Sequence, residues 1–182
     1  MYLLFDTETT GLPAGGDDVH MLQLAWILQG RDHETRAHGN CIVLPEGWNI
    51  PDEIAKLTRI DHARAAVAGH PVDQVLSLFT AATYFPVTIV GHNLEFDCKV
   101  VAKECERLGW PDPLADKPRT CTMLASVDVC AIPSKKGGYK WPKLDELHTK
   151  LFGRPFEGAH DALADVRATA KCFWELRKLG KV

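Results

Sequence analysis

Residues 2–8, Tyr-Leu-Leu-Phe-Asp-Thr-Glu, pass from an apolar run straight into two carboxylates two positions apart. The apolar part reads as a buried strand. Alternation along a strand puts Asp6 and Glu8 on one side, so both reach a single point beyond the sheet edge. A pair of solvated acids before a turn is the plainer reading, and D-x-E alone does not decide. Pro13 to Asp18 is a glycine-rich turn; Met21–Leu28 and Cys41–Leu44 read as further strands, joined by a hairpin turning near residues 29–33. Pro51–Leu57 reads as a short helix with Pro51 in its first turn. Val72, Val75, Leu76 and Phe79 keep a helical rhythm over residues 72–82, and Val87–Val90 is a β-branched strand ended by Gly91. Asn93 is placed to cap a helix over residues 94–108, closed by Gly109 and Pro111. A short helix spans residues 144–151, and a last helix has Asp161 as its cap and Leu163, Val166, Ala170 and Phe173 on one face. Strands first, then strands alternating with helices, predict an α/β three-layer sandwich around a mixed sheet.

The chain has 182 residues, 46% hydrophobic and 25% charged, which excludes disorder, collagen and coiled coil and suits one domain over residues 1–182. Gln74 to Leu94 holds no Asp, Glu, Lys or Arg, but Pro86, Gly91 and several polar residues interrupt it, so no membrane span is expected. Asp6 and Glu8 also sit where a secretory signal would need its apolar core. Cysteines 41, 98, 105, 121, 130 and 172 form no C-x-x-C pair, which points to reduced thiols and a cytoplasmic location. Net charge is −3, unevenly spread: the first 91 residues carry 11 acids and 5 bases, the last 91 carry 13 acids and 16 bases. Within 117–143 six bases face Asp128 alone. An acidic cluster beside a basic segment suits a protein that holds metal cations near a polyanion.

Two further clusters repeat the first. Gly91-His92-Asn93-Leu94-Glu95-Phe96-Asp97 puts a carboxylate in the first turn of the helix after a strand, where capping alone would also favour acids. His160-Asp161-Ala162-Leu163-Ala164-Asp165 opens the last helix. With Asp161 as the cap, His160 lies outside the helix and is free to swing toward the site. Asp161 and Asp165 are a rival metal pair, although a cap carboxylate normally turns to its own amides. Asp6, Glu8, Asp97 and Asp165 converging on one locus would repel one another without cations. Oxygen-only ligands favour Mg²⁺ or Mn²⁺ over zinc.

Phe-Asp-Thr-Glu-Thr-Thr-Gly-Leu at 5–12, the 91–97 segment and the 160–165 segment resemble the three motifs of the DEDDh exonucleases, the DnaQ-like group. The resemblance covers nearly the whole chain, including Ile54–His62 and Pro142–Gly153. It implies a ribonuclease H-like fold with a central mixed five-stranded sheet. It also implies a 3′→5′ exonuclease with two Mg²⁺ or Mn²⁺ ions, acting on nucleic acid with a free 3′ end and releasing nucleoside 5′-monophosphates. By position, Asp6, Glu8 and Asp165 hold the metal beside the attacking water, Asp6 also holds the second, and Asp97 acts largely through its waters. His160 is the general base. Leu12 resembles the wedge at the terminal base and Phe96 a packing residue there; Thr9 and Thr10 fall where the terminal nucleotide is contacted, Asn93 where the backbone is met. Arg59 departs from the pattern, standing where many relatives have Gly.

Lys135, Lys136 and Lys140 interleave with Tyr139 and Trp141, a pattern for phosphate contact and base stacking, or else a solvated loop with Trp141 turned inward. A haloacid-dehalogenase-type phosphatase would want Asp at position 8 and gives His160 and Asp165 no role. A module that only binds nucleic acid leaves the full set of acids unexplained. The motifs do not separate DNA, which is favoured, from RNA. Only 17 residues follow Asp165, so a freestanding nuclease without a polymerase tether is expected.

Overall fold

The computed structural model describes residues 1–11, 18–85 and 87–182. Six strands form one mixed sheet: β1 (Tyr2–Thr9), β2 (Met21–Gln29), β3 (Thr35–Val43), β4 (Gly69–His70), β5 (Thr88–Gly91) and β6 (Arg119–Cys121), in the order β4-β3-β2-β1-β5-β6. β1, β2 and β3 form an antiparallel meander, while β5 runs parallel to β1 and β6 parallel to β5. The three-layer α/β architecture agrees with the expectation, but the sheet has six strands, not five. The two-residue β4 and the three-residue β6 are too short to leave a period-2 pattern in sequence. β3 starts six residues before the expected Cys41 because its outer half is exposed on both sides and so reads as polar. Trp26 lies across Gly39 of β3, where a Cβ would fall within 2.2 Å of the indole.

The helices are α1 (Asp52–Thr58), α2 (His62–Ala68), α3 (Val72–Thr83), α4 (Leu94–Arg107), α5 (Thr122–Ala125), α6 (Val127–Cys130), α7 (Leu144–Phe152) and α8 (Ala162–Lys178). Pro51 stands just before α1 as its N-cap residue, one place earlier than expected. Arg59 ends α1 with φ of 60°, a left-handed conformation that glycine takes without strain.

Strand alternation divides the core. Leu3 and Phe5 pack with Phe79 of α3 and Val101 and Cys105 of α4. Leu4, with Val166 and Phe173 of α8, packs on the opposite face. Cys98 and Cys105 are buried as expected, and desolvation pushes their thiols up to about 12 and about 11. All six cysteines are free. The uncharged stretch from Gln74 is the body of α3, then β5 and the start of α4; among the described residues no helix is long and apolar enough to cross a membrane.

Candidate active site

β1 pairs with β5 only from Tyr2 to Leu4, so the rest of its length runs past the end of that neighbour. On the face toward α8 it presents Asp6 and Glu8; on the other it presents Thr7. Gln23 of β2 sits opposite Glu8. It is 1% exposed, and its Oε1 accepts the N–H of Ala162, the first residue of α8, at 3.2 Å. Asp161 caps that helix, accepting from the Ala164 N–H at 3.1 Å, as expected. Anchored twice, the first turn of α8 brings Asp165 over the strand. Oxygens of Asp6, Glu8 and Asp165 all lie within 4.8 Å of one another.

Asp97 arrives from the opposite layer and lies outside that trio. One of its oxygens accepts the Thr7 N–H at 3.0 Å and the Thr7 hydroxyl at 2.7 Å. The N–H that β5 stops too early to pair is thus satisfied by a side chain. Asp97 still acts electrostatically on Asp6 and Glu8.

Burial and mutual repulsion raise every member of the group. Asp6 is held well above the usual carboxylate range by desolvation first and then by Asp97, Asp165 and Glu8. Glu8 is pushed up to about 8 and Asp165 to about 7, both chiefly by desolvation. Asp97 rises to about 7 despite its two bonds from Thr7. The cluster therefore lacks positive charge, and three carboxylates so close form an all-oxygen donor set suited to a hard divalent cation.

His160 is exposed, with φ of 67°, and its N–H donates to Asp165 Oδ2 at 3.2 Å. It lies outside α8, as the sequence implies, beside the trio. Asn93 departs from expectation: it adopts φ of 65° and its side chain makes no capping bond, so α4 starts without a side-chain cap. The Thr9 hydroxyl donates to the Gly11 carbonyl at 2.7 Å, and the Thr10 hydroxyl accepts from the His20 N–H at 3.0 Å. Both shape the turn after β1. Phe96 is half-buried at the edge of the main core. Leu12, and nearly all of the Pro13–Asp18 turn, lie outside the described residues.

The basic segment is more ordered than a solvated loop. Pro133 bridges Tyr139, and the Lys140 N–H donates to the Ile132 carbonyl at 2.9 Å. Lys135 and Lys136 are exposed, but Lys140 pairs with Glu146, whose other oxygen accepts the Lys143 N–H at the start of α7. Lys140 is thus a structural tie. Trp141 is 65% exposed, not turned inward.

Gln23, Thr7 and His92 support the site in ways that their sequence positions do not announce. The one trace is that Gln23 is a polar residue inside the apolar run of β2. His92 places Nε2 2.9 Å from the Pro142 carbonyl and Nδ1 3.0 Å from the Thr122 hydroxyl, tying the basic segment to the end of β5. Desolvation lowers it to about 4, so it is neutral at pH 7.

The sequence profile of the exonuclease family RNase_T matches residues 3–173. A DNA polymerase III subunit epsilon-like protein of Rhodobacter capsulatus is 31% identical over 179 residues, 96% of this chain and 23% of that protein. An uncharacterized exonuclease, CP81, of Escherichia phage 186 is 26% identical over 98% of this chain and 89% of its own length. Among solved structures, Escherichia coli exonuclease I in complex with a dA16 oligonucleotide aligns with a TM-score of 0.76 and 23% identity, over 98% of this chain and 40% of that one. A zinc-bound complex of the same enzyme with single-stranded DNA aligns at 0.78 and 23%, with the same coverage. This chain therefore spans well under half the length of exonuclease I and about a quarter of the Rhodobacter protein.

Proposed function

Because the chain belongs to the RNase_T family of exonucleases, we propose that it hydrolyses phosphodiester bonds of nucleic acid from the 3′ end, with divalent cations, releasing nucleoside 5′-monophosphates. The observation that carries the reading is the meeting of Asp6, Glu8 and Asp165 within 4.8 Å at the free end of β1. Those three side chains would hold one Mg²⁺ or Mn²⁺, and Asp6, with Asp97 acting largely through water, would serve a second. When bound, such ions neutralise the carboxylates and stabilise charge on the attacking and leaving oxygens of an in-line displacement at phosphorus.

The chain's own groups do the rest. His160, outside the helix and next to Asp165, takes the proton of the attacking water. Thr7 fixes Asp97 by two bonds, so its second oxygen keeps one direction. Gln23 and Asp161 together hold the start of α8 and with it Asp165. Phe96, Asn93 and the Thr9–Thr10 turn surround the place of the terminal nucleotide, and Lys135 and Lys136 meet backbone phosphates. DNA is the favoured substrate, which the likeness to exonuclease I bound to DNA oligonucleotides supports. The free thiols suit a reducing, cytoplasmic setting.

Strands labelled separately at the 3′ and 5′ ends, as DNA and RNA, single and double, test this directly. The 3′ label should leave first, as a mononucleotide. Prior release of the 5′ label, or internal cuts, would overturn the direction.

A further inference from the structure

A cavity of about 460 Å³ lies behind the loop that leads to His160, between residues 154–157 and the outer face of α8. Arg154, Arg167 and Lys171 line it, with Glu157 as the single acid. Among the described residues none of these three exposed cations has an ion-pair or hydrogen-bonding partner for its side chain, so each is available to a ligand in the cavity. Three cations around one concavity make it locally positive and favour an anion there.

The inner wall is His148, 5% exposed. Its Nδ1 lies 2.8 Å from the Arg154 carbonyl, which only accepts, so Nδ1 carries a proton. Among the described residues Nε2 has no hydrogen-bonding partner, and the ring lines the cavity. A phosphate diester offers Nε2 no proton. A monoester does, since it takes its second proton near pH ~6, and one proton shared between ligand and ring joins them. Phe156, half-buried beside His148 with ring centroids 5.7 Å apart, supplies an apolar wall. The volume falls in the range of ~300–1,000 Å³ that takes a small ligand.

We propose that this cavity is a binding site for a phosphate monoester, distinct from the carboxylate cluster, with the phosphoryl group on Arg154, Arg167 and Lys171 and a shared proton at His148. Such a ligand bridges the loop to α8. His160 follows that loop within six residues of Arg154, so occupancy also bears on where His160 stands. This last consequence rests on the hydrolytic reading above; the site itself does not.

The test is a titration of the full chain followed by backbone amide NMR, in chelator so that no cation serves the carboxylates. Inorganic phosphate and thymidine 5′-monophosphate are the probes, at constant ionic strength. Each should shift amides of residues 154–158 and 164–171 saturably. The Arg167→Ala/Lys171→Ala variant, altered only at exposed helix positions, should bind about tenfold more weakly, as expected for lost charge-assisted bonds. Tighter binding of the mononucleotide than of phosphate identifies a nucleotide as the ligand; equal binding identifies free phosphate. Sulfate, which carries no proton at neutral pH, should bind more weakly than phosphate. The proposal is overturned if the amides of 154–171 do not move, if the double variant binds both probes as wild type does, or if sulfate matches phosphate. Shifts confined to residues near Asp6, Asp97 and Asp165 would overturn it too, while leaving the hydrolytic reading untouched.

Discussion

Gln23 and Ala162 are 139 positions apart in sequence, yet the side-chain carbonyl of one accepts the backbone N–H of the other at 3.2 Å in a buried contact. That bond sets the first turn of α8 against β2 beside Glu8, and so determines how Asp165 meets the carboxylates of β1. Replacing Gln23 with Leu keeps the volume but leaves the Ala162 N–H unpaired. Unfolding by denaturant should show a loss of about 1–3 kcal/mol, the usual cost of an orphaned buried donor. Nuclease activity should fall further than the folded fraction does.

Without metal, stability should depend on pH in a direction opposite to that of a protein held by salt bridges. Glu8 is raised to about 8, Asp97 and Asp165 to about 7, and Asp6 is raised as well. Between about pH 4 and pH 8 the folded chain therefore binds more protons than the unfolded chain. Stability is full below the unfolded carboxylate values and is lost as pH rises through the folded ones. Denaturation midpoints in chelator should fall across this window. Mg²⁺ or Mn²⁺, binding the folded state alone, should restore them most at the alkaline end. A flat profile in chelator would contradict the electrostatics described for the cluster.

His160 stands outside α8; its backbone N–H donates to Asp165, and its side chain makes no hydrogen bond among the described residues. As general base, its replacement by Ala should slow the chemical step ~10²–10⁴-fold while fold and cation affinity stay near wild type. Single-turnover cleavage and calorimetric Mn²⁺ titration on the same variant separate this from a ligand role, in which both would collapse.

The three lysines of the basic segment should behave differently. Lys135→Ala and Lys136→Ala should each reduce the salt dependence of single-strand binding by about 0.7 in log slope per lost contact. Lys140→Ala should leave the slope unchanged and instead loosen the start of α7, since Lys140 pairs with Glu146. Binding measured across a salt series, with hydrogen exchange at residues 143–147, distinguishes the two roles.

The layers and the long elements were legible in the sequence from the one-sided apolar stripes of the helices and the continuous apolar run of β2: β2, α3, α4 and α7 lie within two residues of their expected bounds, and α8 starts directly after its expected cap Asp161. α2 was not, since Ala65 is its one buried residue and leaves no stripe to read. β6 has three residues and the outer half of β3 is a solvated edge. At the site, the acids and His160 were readable from their places at strand ends and helix starts. What sequence could not show was which of them meet. The trio forms through a contact between β2 and α8, Asp97 is claimed by Thr7 from the other layer, and Asn93 takes a left-handed backbone that removes it from capping. Each of these is a long-range or backbone fact with no local signature.

If Asp6, Glu8 and Asp165 work by holding a divalent cation, mononucleotide release by wild type and by Asp165→Asn should differ sharply in its dependence on Mg²⁺. The rate for wild type should saturate with Mg²⁺ and vanish in excess chelator. Asp165→Asn should stay folded by circular dichroism and lose at least ~10²-fold in rate, the scale of one lost electrostatic group in a catalytic site. Undiminished release by wild type in chelator, or wild-type rates from Asp165→Asn, would show that the three carboxylates do not act through a cation.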